Sequence, residues 1–195
     1  MTAYFPRRMP SPVRIVCLAA LATLAGCAPG SSLPPMPPPA NVAYRLGAGD
    51  QLRVLTYNDL QLTNSFTVGD NGRIAFPLIG SIQASGLTTH ELESAITSRL
   101  VAEGVLNHPS VSVEVTQYRP IFVLGEVAHP GQYPYMPGMT TLSAVALAGG
   151  YTYRAITDYA GAVRSGPDGQ AAEGRVKRNS LLQPGDVITV YERYF

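Results

Sequence analysis

Cysteine is scarce. The 195 residues hold two, Cys17 and Cys27, and the first lies in an N-terminal segment expected to be removed. One remaining thiol excludes an intrachain disulfide and a cysteine-built metal site, so stability must come from packing. Histidine is nearly as scarce: His90, His108 and His129 have no metal-ligand spacing among them, and no metal or cofactor is expected. Lysine occurs once, as Lys177, which leaves no basic footprint for nucleic acid. The short run Arg175-Val176-Lys177-Arg178 reads as a solvated turn. No Gly-x-Ser-x-Gly elbow occurs. Glu91 and Glu93, two apart on an expected helix, point to different faces and cannot act together as the acid and base of a glycosidase. No enzymatic activity is expected.

What is present begins with a secretion signal over residues 1–26. Arg7, Arg8 and Arg14 stand without an acidic neighbour, and the apolar run 15–25 is broken only by Thr23. That run is too short to span a bilayer as a stable helix. The Arg7-Arg8 pair reads as an ordinary basic region, since the rest of a twin-arginine pattern is missing. The run ends in Leu24-Ala25-Gly26-Cys27, which resembles the lipobox of bacterial lipoproteins. The resemblance implies a diacylglycerol on the Cys27 thiol and cleavage that leaves Cys27 as the new N-terminus. Ala28 follows where an inner-membrane retention signal would place aspartate, so outer-membrane sorting is expected. Removal of the signal leaves 11 basic against 13 acidic side chains, a mildly acidic chain. Residues 27–43 form the lipid anchor and a tether rich in proline (Pro29, Pro34, Pro35, Pro37, Pro38 and Pro39). At ~3.1 Å per residue it can hold the folded part roughly 40 Å from the lipid.

The folded part is expected to be α+β, in two units over 44–117 and 118–195. In the first, 52–57 alternates as a strand, and 65–76 reads as two strands joined by Asp70-Asn71-Gly72. Thr88 and Glu91 form a capping box for a helix with Leu92, Ala95, Ile96 and Leu100 on one face, ended by Gly104. Val111, Val113 and Val115 mark a further strand. In the second unit, 121–124 is a strand, Pro130-Gly131 a turn pair suited to type II geometry, and 132–135 its return. A short helix over 140–148 should turn Leu142, Val145 and Ala146 inward, closed by Gly149-Gly150. A last strand covers 187–191. Residues 46–54 resemble 182–190: each sets a Gly-Asp pair, Gly49-Asp50 and Gly185-Asp186, directly before a strand. The physical reading is a tight turn that needs glycine, with the carboxylate free to bond nearby backbone amides. The first of these strands is a candidate to pack across onto the second unit.

Taken in order, these motifs resemble the outer-membrane polysaccharide export lipoproteins of the Wza type. The first unit carries Gly49-Asp50, then Phe66-x-Val68-x-x-x-Gly72-x-Ile74-x-x-Pro77-x-x-Gly80, Gly86-Leu87-Thr88 and Pro109-x-Val111-x-Val113, as in a small mixed α/β polysaccharide export domain. The second carries Val123-x-Gly125-Glu126-Val127-x-x-Pro130-Gly131-x-Tyr133, Thr141-Leu142 through Ala148-Gly149-Gly150, and Leu182-x-Pro184-Gly185-Asp186-Val187-Ile188. It is similar to one β-grasp-like SLBB (soluble ligand binding) domain. The resemblance implies an outer-membrane lipoprotein facing the periplasm and forming a homo-oligomeric ring. Through it capsular or exopolysaccharide passes as cargo, supplied by an inner-membrane polysaccharide co-polymerase. Longer members end in an amphipathic pore helix, and no segment of about 20 residues suited to spanning follows the second unit here. Attachment through lipid alone and a separate outer-membrane β-barrel are therefore expected. The alternative is a non-channel periplasmic saccharide-binding module. Tyr133, Tyr135, Tyr151, Tyr153 and Tyr159 cluster in the second unit, where they can stack on sugar rings, or pack across strands and between protomers.

Overall fold

A computed structural model describes residues 28–38, 43–166 and 170–194; Cys27 and the signal lie outside the described residues. The first unit runs β1 (Gln51–Thr56), β2 (Asn64–Thr67), β3 (Arg73–Phe76), β4 (Gly80–Gln83), α1 (Thr89–Ala102) and β5 (Val111–Gln117). Alternation in β1 turns Leu52, Val54 and Thr56 inward. The strand sits between β2 and β5, antiparallel to both. Helix α1 opens on the expected box: the Glu91 amide donates to Thr88 Oγ1 (3.2 Å) and the Thr88 amide to the Glu91 carboxylate (2.8 Å). Leu92, Ile96 and Leu100 recur at helical spacing and close the core over Leu52, Val54, Ile74, Phe76 and Val113.

The stretch 65–76 is not one hairpin. Val68 continues the β1–β2 ladder, accepting from the Gly49 amide (2.8 Å) and donating to the Asp50 carbonyl (2.9 Å), so β2 already has its partner. The chain then turns at Gly72, where φ is +73°. β3 leaves to pair with β4, a four-residue strand with no sequence alternation to announce it.

The second unit runs β6 (Ile121–Gly125), β7 (Gly131–Tyr133), α2 (Thr141–Leu147), β8 (Tyr159–Ser165), β9 (Ala171–Lys177) and β10 (Val187–Val190). Its sheet has the order β7-β6-β10-β8-β9, with β10 parallel to β6 and antiparallel to β8. Ile121, Val123, Ile188 and Val190 form the core with Ala144 and Val145 of α2. Together the units make the α+β fold expected.

Three expectations are corrected in the second unit. Pro130-Gly131 is not a type II turn, because Gly131 has no positive φ and begins β7 opposite Val123. The backbone freedom is used at Gly125 instead, where φ is +83° and a Cβ would overlap the Val190 carbonyl. In α2, Leu142 and Ala146 face outward. The inward stripe is Thr141, Ala144 and Val145, set by the cap at Thr140 and its box with Ser143. Arg175, Val176 and Lys177 belong to β9, with Val176 buried, and only Arg178 and Asn179 form the turn.

The proline-rich tether is the largest correction. Its described part, 28–38, lies along the outer edge of β9 rather than extending away. The Arg175 amide donates to the Pro34 carbonyl (2.7 Å) and the Met36 amide to the Arg175 carbonyl (2.8 Å), a one-residue addition to the sheet. Arg164 Nη1 donates to the Pro37 carbonyl, Arg175 Nη1 to Ser31, and Tyr159 Oη to Pro29 (2.9 Å). Met36 packs on the second core. Proline lacks an N–H, which suits it to an edge position that receives bonds through its carbonyl. Gly174 makes room: a Cβ there would lie 3.0 Å from the Met36 backbone.

Candidate functional site

The two Gly-Asp turns are built alike and meet at the junction of the units. Asp50 is fully buried. Its Oδ2 accepts from the Gly47 amide (2.8 Å) and Tyr44 Oη (2.6 Å), and its Oδ1 from the Arg119 amide (3.0 Å). Asp186 is also fully buried. Its Oδ2 accepts from the Gln183 amide, three residues before it as Gly47 is before Asp50 (2.8 Å). Gly49 and Gly185 have φ of +92° and +87°. The carboxylates thus bond backbone amides, and each also meets an arginine.

The arginines differ. Arg164 binds Asp186 side-on, Nε to Oδ1 at 2.9 Å and Nη2 to Oδ2 at 2.8 Å. This bidentate geometry is strong. Arg119 stands 3.7 Å from Asp50 Oδ1 through Nε, and that nitrogen is buried with no hydrogen bond among the described residues. Its side chain runs past Gly47, Gly49 and Gly185, so one arginine of the connecting segment lies beside both turns. The Gly185 amide donates to the Pro120 carbonyl (3.1 Å), closing the joint. β1 itself stays in the first sheet. What crosses to the second unit is the carboxylate at its start.

An aromatic chain runs through the same joint. Tyr44 meets Tyr118 edge-on at 5.0 Å, and Tyr118 meets Tyr135 at 5.6 Å. Burial, then the bond to Asp50, raises the Tyr44 hydroxyl pKa well above its ordinary range. Burial likewise raises that of Tyr135, whose hydroxyl donates to the Leu182 carbonyl (3.3 Å). Beside them opens a cleft of about 560 Å³ whose lining includes Tyr44, Arg45, Arg119, Tyr135, Arg164 and Gln183.

The tyrosines singled out in the sequence do not form one platform. Tyr133 is half-buried and its hydroxyl bonds the His129 carbonyl. Tyr135 is spent in the joint, and Tyr151 packs on the second core. Tyr159 holds the proline-rich segment 28–38, a strap along β9, and Arg175 lies 5.6 Å from its ring centroid. Tyr153 alone is open, at 81% exposure. Glu91 caps α1 and pairs with Arg45, while Glu93 accepts from the Val113 amide (2.8 Å). The backbone bond from Thr88 lowers the Glu91 pKa. Among the described residues no group of His, Cys, Asp and Glu is arranged to hold a metal, and no helix is long and apolar enough to cross a membrane. Sequence reasoning singled out neither Arg119 nor Arg164. The paired Gly-Asp repeats were the signal for their carboxylate partners, and nothing local marked the arginines.

Residues 38–116 match the family described as polysaccharide biosynthesis/export protein, and residues 120–165 match the SLBB domain. The sheet of the second unit continues beyond that match through β10. Among similar proteins is the exopolysaccharide production protein ExoF of Rhizobium meliloti (strain 1021), 40% identical over 118 residues, covering 55% of this chain and 28% of that protein. The EPS I polysaccharide export outer membrane protein EpsA of Ralstonia nicotianae (strain ATCC BAA-1114 / GMI1000) is 29% identical over 184 residues, 77% of this chain and 48% of its own length. The polysialic acid transport protein KpsD of Escherichia coli is 27% identical over 112 residues, 56% of this chain and 20% of its own. The chain spans less than half the length of each of these relatives. An export-type domain followed by an SLBB domain is an arrangement that supports a polysaccharide export protein. The chain carries a domain of the polysaccharide biosynthesis/export protein family over 38–116, followed by one SLBB domain.

Proposed function

We propose that this chain is a lipid-anchored outer-membrane component of a capsular or exopolysaccharide export machine, facing the periplasm and assembling as a ring through which the polymer passes. The observation that carries the reading is the joint. An export domain is fixed to an SLBB domain by a buried carboxylate that bonds a backbone amide of the segment connecting them, Asp50 to Arg119 at 3.0 Å. A ring that conducts a polymer needs protomers whose domains keep one mutual angle, because a heterologous interface closes only at a fixed rotation. The relatives named for export and transport point to the same task. Leu60 and Leu78, 90% and 73% exposed on the first unit, suit contact between protomers. Cys27 supplies the lipid, an inner-membrane co-polymerase the polymer, and a separate β-barrel the outer-membrane pore. The signal at 1–26 and the domains at 44–117 and 118–195 complete the organisation.

The cleft favours a second reading, a saccharide-binding lipoprotein that is no channel. Its tyrosine and arginine lining suits a sugar bearing a carboxylate. Electron microscopy of the detergent-extracted lipidated protein separates the two. Rings of uniform size support the first reading. A persistent monomer, with and without the co-polymerase, overturns it and leaves the second.

A further inference from the structure

The described strap brings the chain's N-terminal side to one corner of the SLBB domain, and that corner adjoins an open aromatic and basic patch. The Pro29 carbonyl accepts from Tyr159 Oη at 2.9 Å. Gly30 sits so close on the Tyr191 ring that a Cβ would overlap it. Tyr191 in turn accepts the Ile156 amide through its carbonyl (2.8 Å), and two residues on, the Arg193 amide donates to the Arg154 carbonyl (2.7 Å). Arg193 Nη2 donates to the Tyr153 carbonyl (2.9 Å), and Arg154 pairs with Glu192. Segments 153–156 and 191–193 are thereby laid side by side, bridged at Ala155 and Glu192. Tyr153 and Tyr194 stand out from them, 81% and 76% exposed.

We propose that this patch, Tyr153, Arg154, Arg193 and Tyr194, rests on the headgroup layer of the bilayer to which Cys27 is anchored. The proposal rests on Cys27 carrying lipid. Covalent geometry then sets the distance. Pro29 follows Cys27 by two positions, with Ala28 alone between them, a reach of at most about 7 Å, and Pro29 is held on the domain surface. The lipid therefore enters the membrane beside Tyr191, with no free spacer to lift the domain away. A surface held that close to a membrane is stable if it offers groups suited to the interfacial zone. Tyrosine places a ring at headgroup level with its hydroxyl toward water. Arginine keeps its guanidinium among phosphates while its methylenes cover apolar surface. The SLBB domain would thus be the membrane-proximal end of the protomer.

The absence of tryptophan from the chain gives a clean probe. Tyr153→Trp, Tyr194→Trp and, as a control on the first unit, Tyr57→Trp (76% exposed) are each made in the full, lipidated chain. Each is reconstituted on vesicles of phosphatidylethanolamine and phosphatidylglycerol with brominated acyl chains. The expected result is blue-shifted emission and quenching of about twofold at positions 153 and 194, with water-like, unquenched emission at 57. Flotation of the vesicles and the mass of the N-terminal peptide report the anchor separately. Protein that is acylated and floats, yet shows position 153 and 194 emission like that of 57, overturns the patch and leaves the anchor standing. Protein without acyl chains that fails to float overturns both.

Discussion

Replacing Arg164 by methionine should unfold the SLBB domain far more readily than the same change at Arg119, although the two Gly-Asp turns read alike in sequence. Arg164 is 13% exposed and gives Asp186, which is 0% exposed, two aligned bonds at 2.9 and 2.8 Å. Without them Asp186 keeps, among the described residues, the Gln183 amide, and a buried carboxylate loses its arginine counter-charge. Removing one partner of such a pair costs about 3–5 kcal/mol, or roughly 12–40 °C in the melting temperature of a domain this size. Arg119 is 30% exposed and 3.7 Å from Asp50. The strong bond at that turn comes from its backbone amide, which methionine retains. Discounted for solvent screening, its loss should cost about 1 kcal/mol. Urea unfolding of the mature chain, followed by tyrosine emission and near-ultraviolet circular dichroism, measures both. In a double-mutant cycle, Arg164→Met with Asp186→Asn should cost about 2 kcal/mol less than the sum of the single changes. Equal losses for Arg164→Met and Arg119→Met, or a loss under about 1 kcal/mol for the former, would refute the ranking of buried bidentate over half-exposed pairs.

Gly125→Ala should destabilise by about 2 kcal/mol or more, since the new Cβ meets the Val190 carbonyl at a backbone φ that alanine disfavours; chemical denaturation of the variant with unchanged cooperativity checks it. Tyr44 is held protonated in the fold by burial and by Asp50, so the native state binds more protons than the unfolded chain above pH ~10. Stability is then full below that pH and lost as pH rises through the folded pKa, with Tyr135, Tyr151 and Tyr191 acting in the same direction. Melting curves between neutral and strongly alkaline pH should fall less steeply for Tyr44→Phe, and parallel curves would contradict the assignment. Gly174→Val should push the strap off β9, because its Cβ would sit 3.0 Å from the Met36 backbone with further methyls behind it. Hydrogen exchange at the Met36 amide should then rise at least about tenfold, and unchanged protection would show that the strap tolerates the side chain.

The capping box of α1 and the strand alternation of β1 and β5 were legible because their signals are local: Thr88 and Glu91 stand three apart, and Leu52 and Val54 alternate. β8 and β9 were not. Residues 159–165 hold Ala160, Gly161 and Ala162, small residues that show little alternation, although Ala160 and Ala162 are buried. Arg175 and Lys177 in β9 disguised an edge strand as a charged turn. The Asp side of the joint was visible as a repeated Gly-Asp pair. Its arginines were not, since Arg164 lies 22 residues from Asp186 and Arg119 lies 69 from Asp50. The tyrosine cluster is a composition bias in the sequence, and the fold separates its members: Tyr133 and Tyr159 lie in β7 and β8, and Tyr135, Tyr151 and Tyr153 in the segments between strands. The strap was opaque for a further reason: proline excludes helix and central strand, and only the fold reveals that an edge beside Gly174 accepts it.

The account stands on export, and the direct test is where the polymer goes. In a producing strain, the gene is deleted and restored as the natural chain or as Cys27→Ser, and surface and periplasmic polysaccharide are measured. Deletion should bring surface polymer to background while polymer is retained inside the cell. The natural chain should restore it, and Cys27→Ser should not. Unchanged surface polymer in the deletion strain would contradict the central claim.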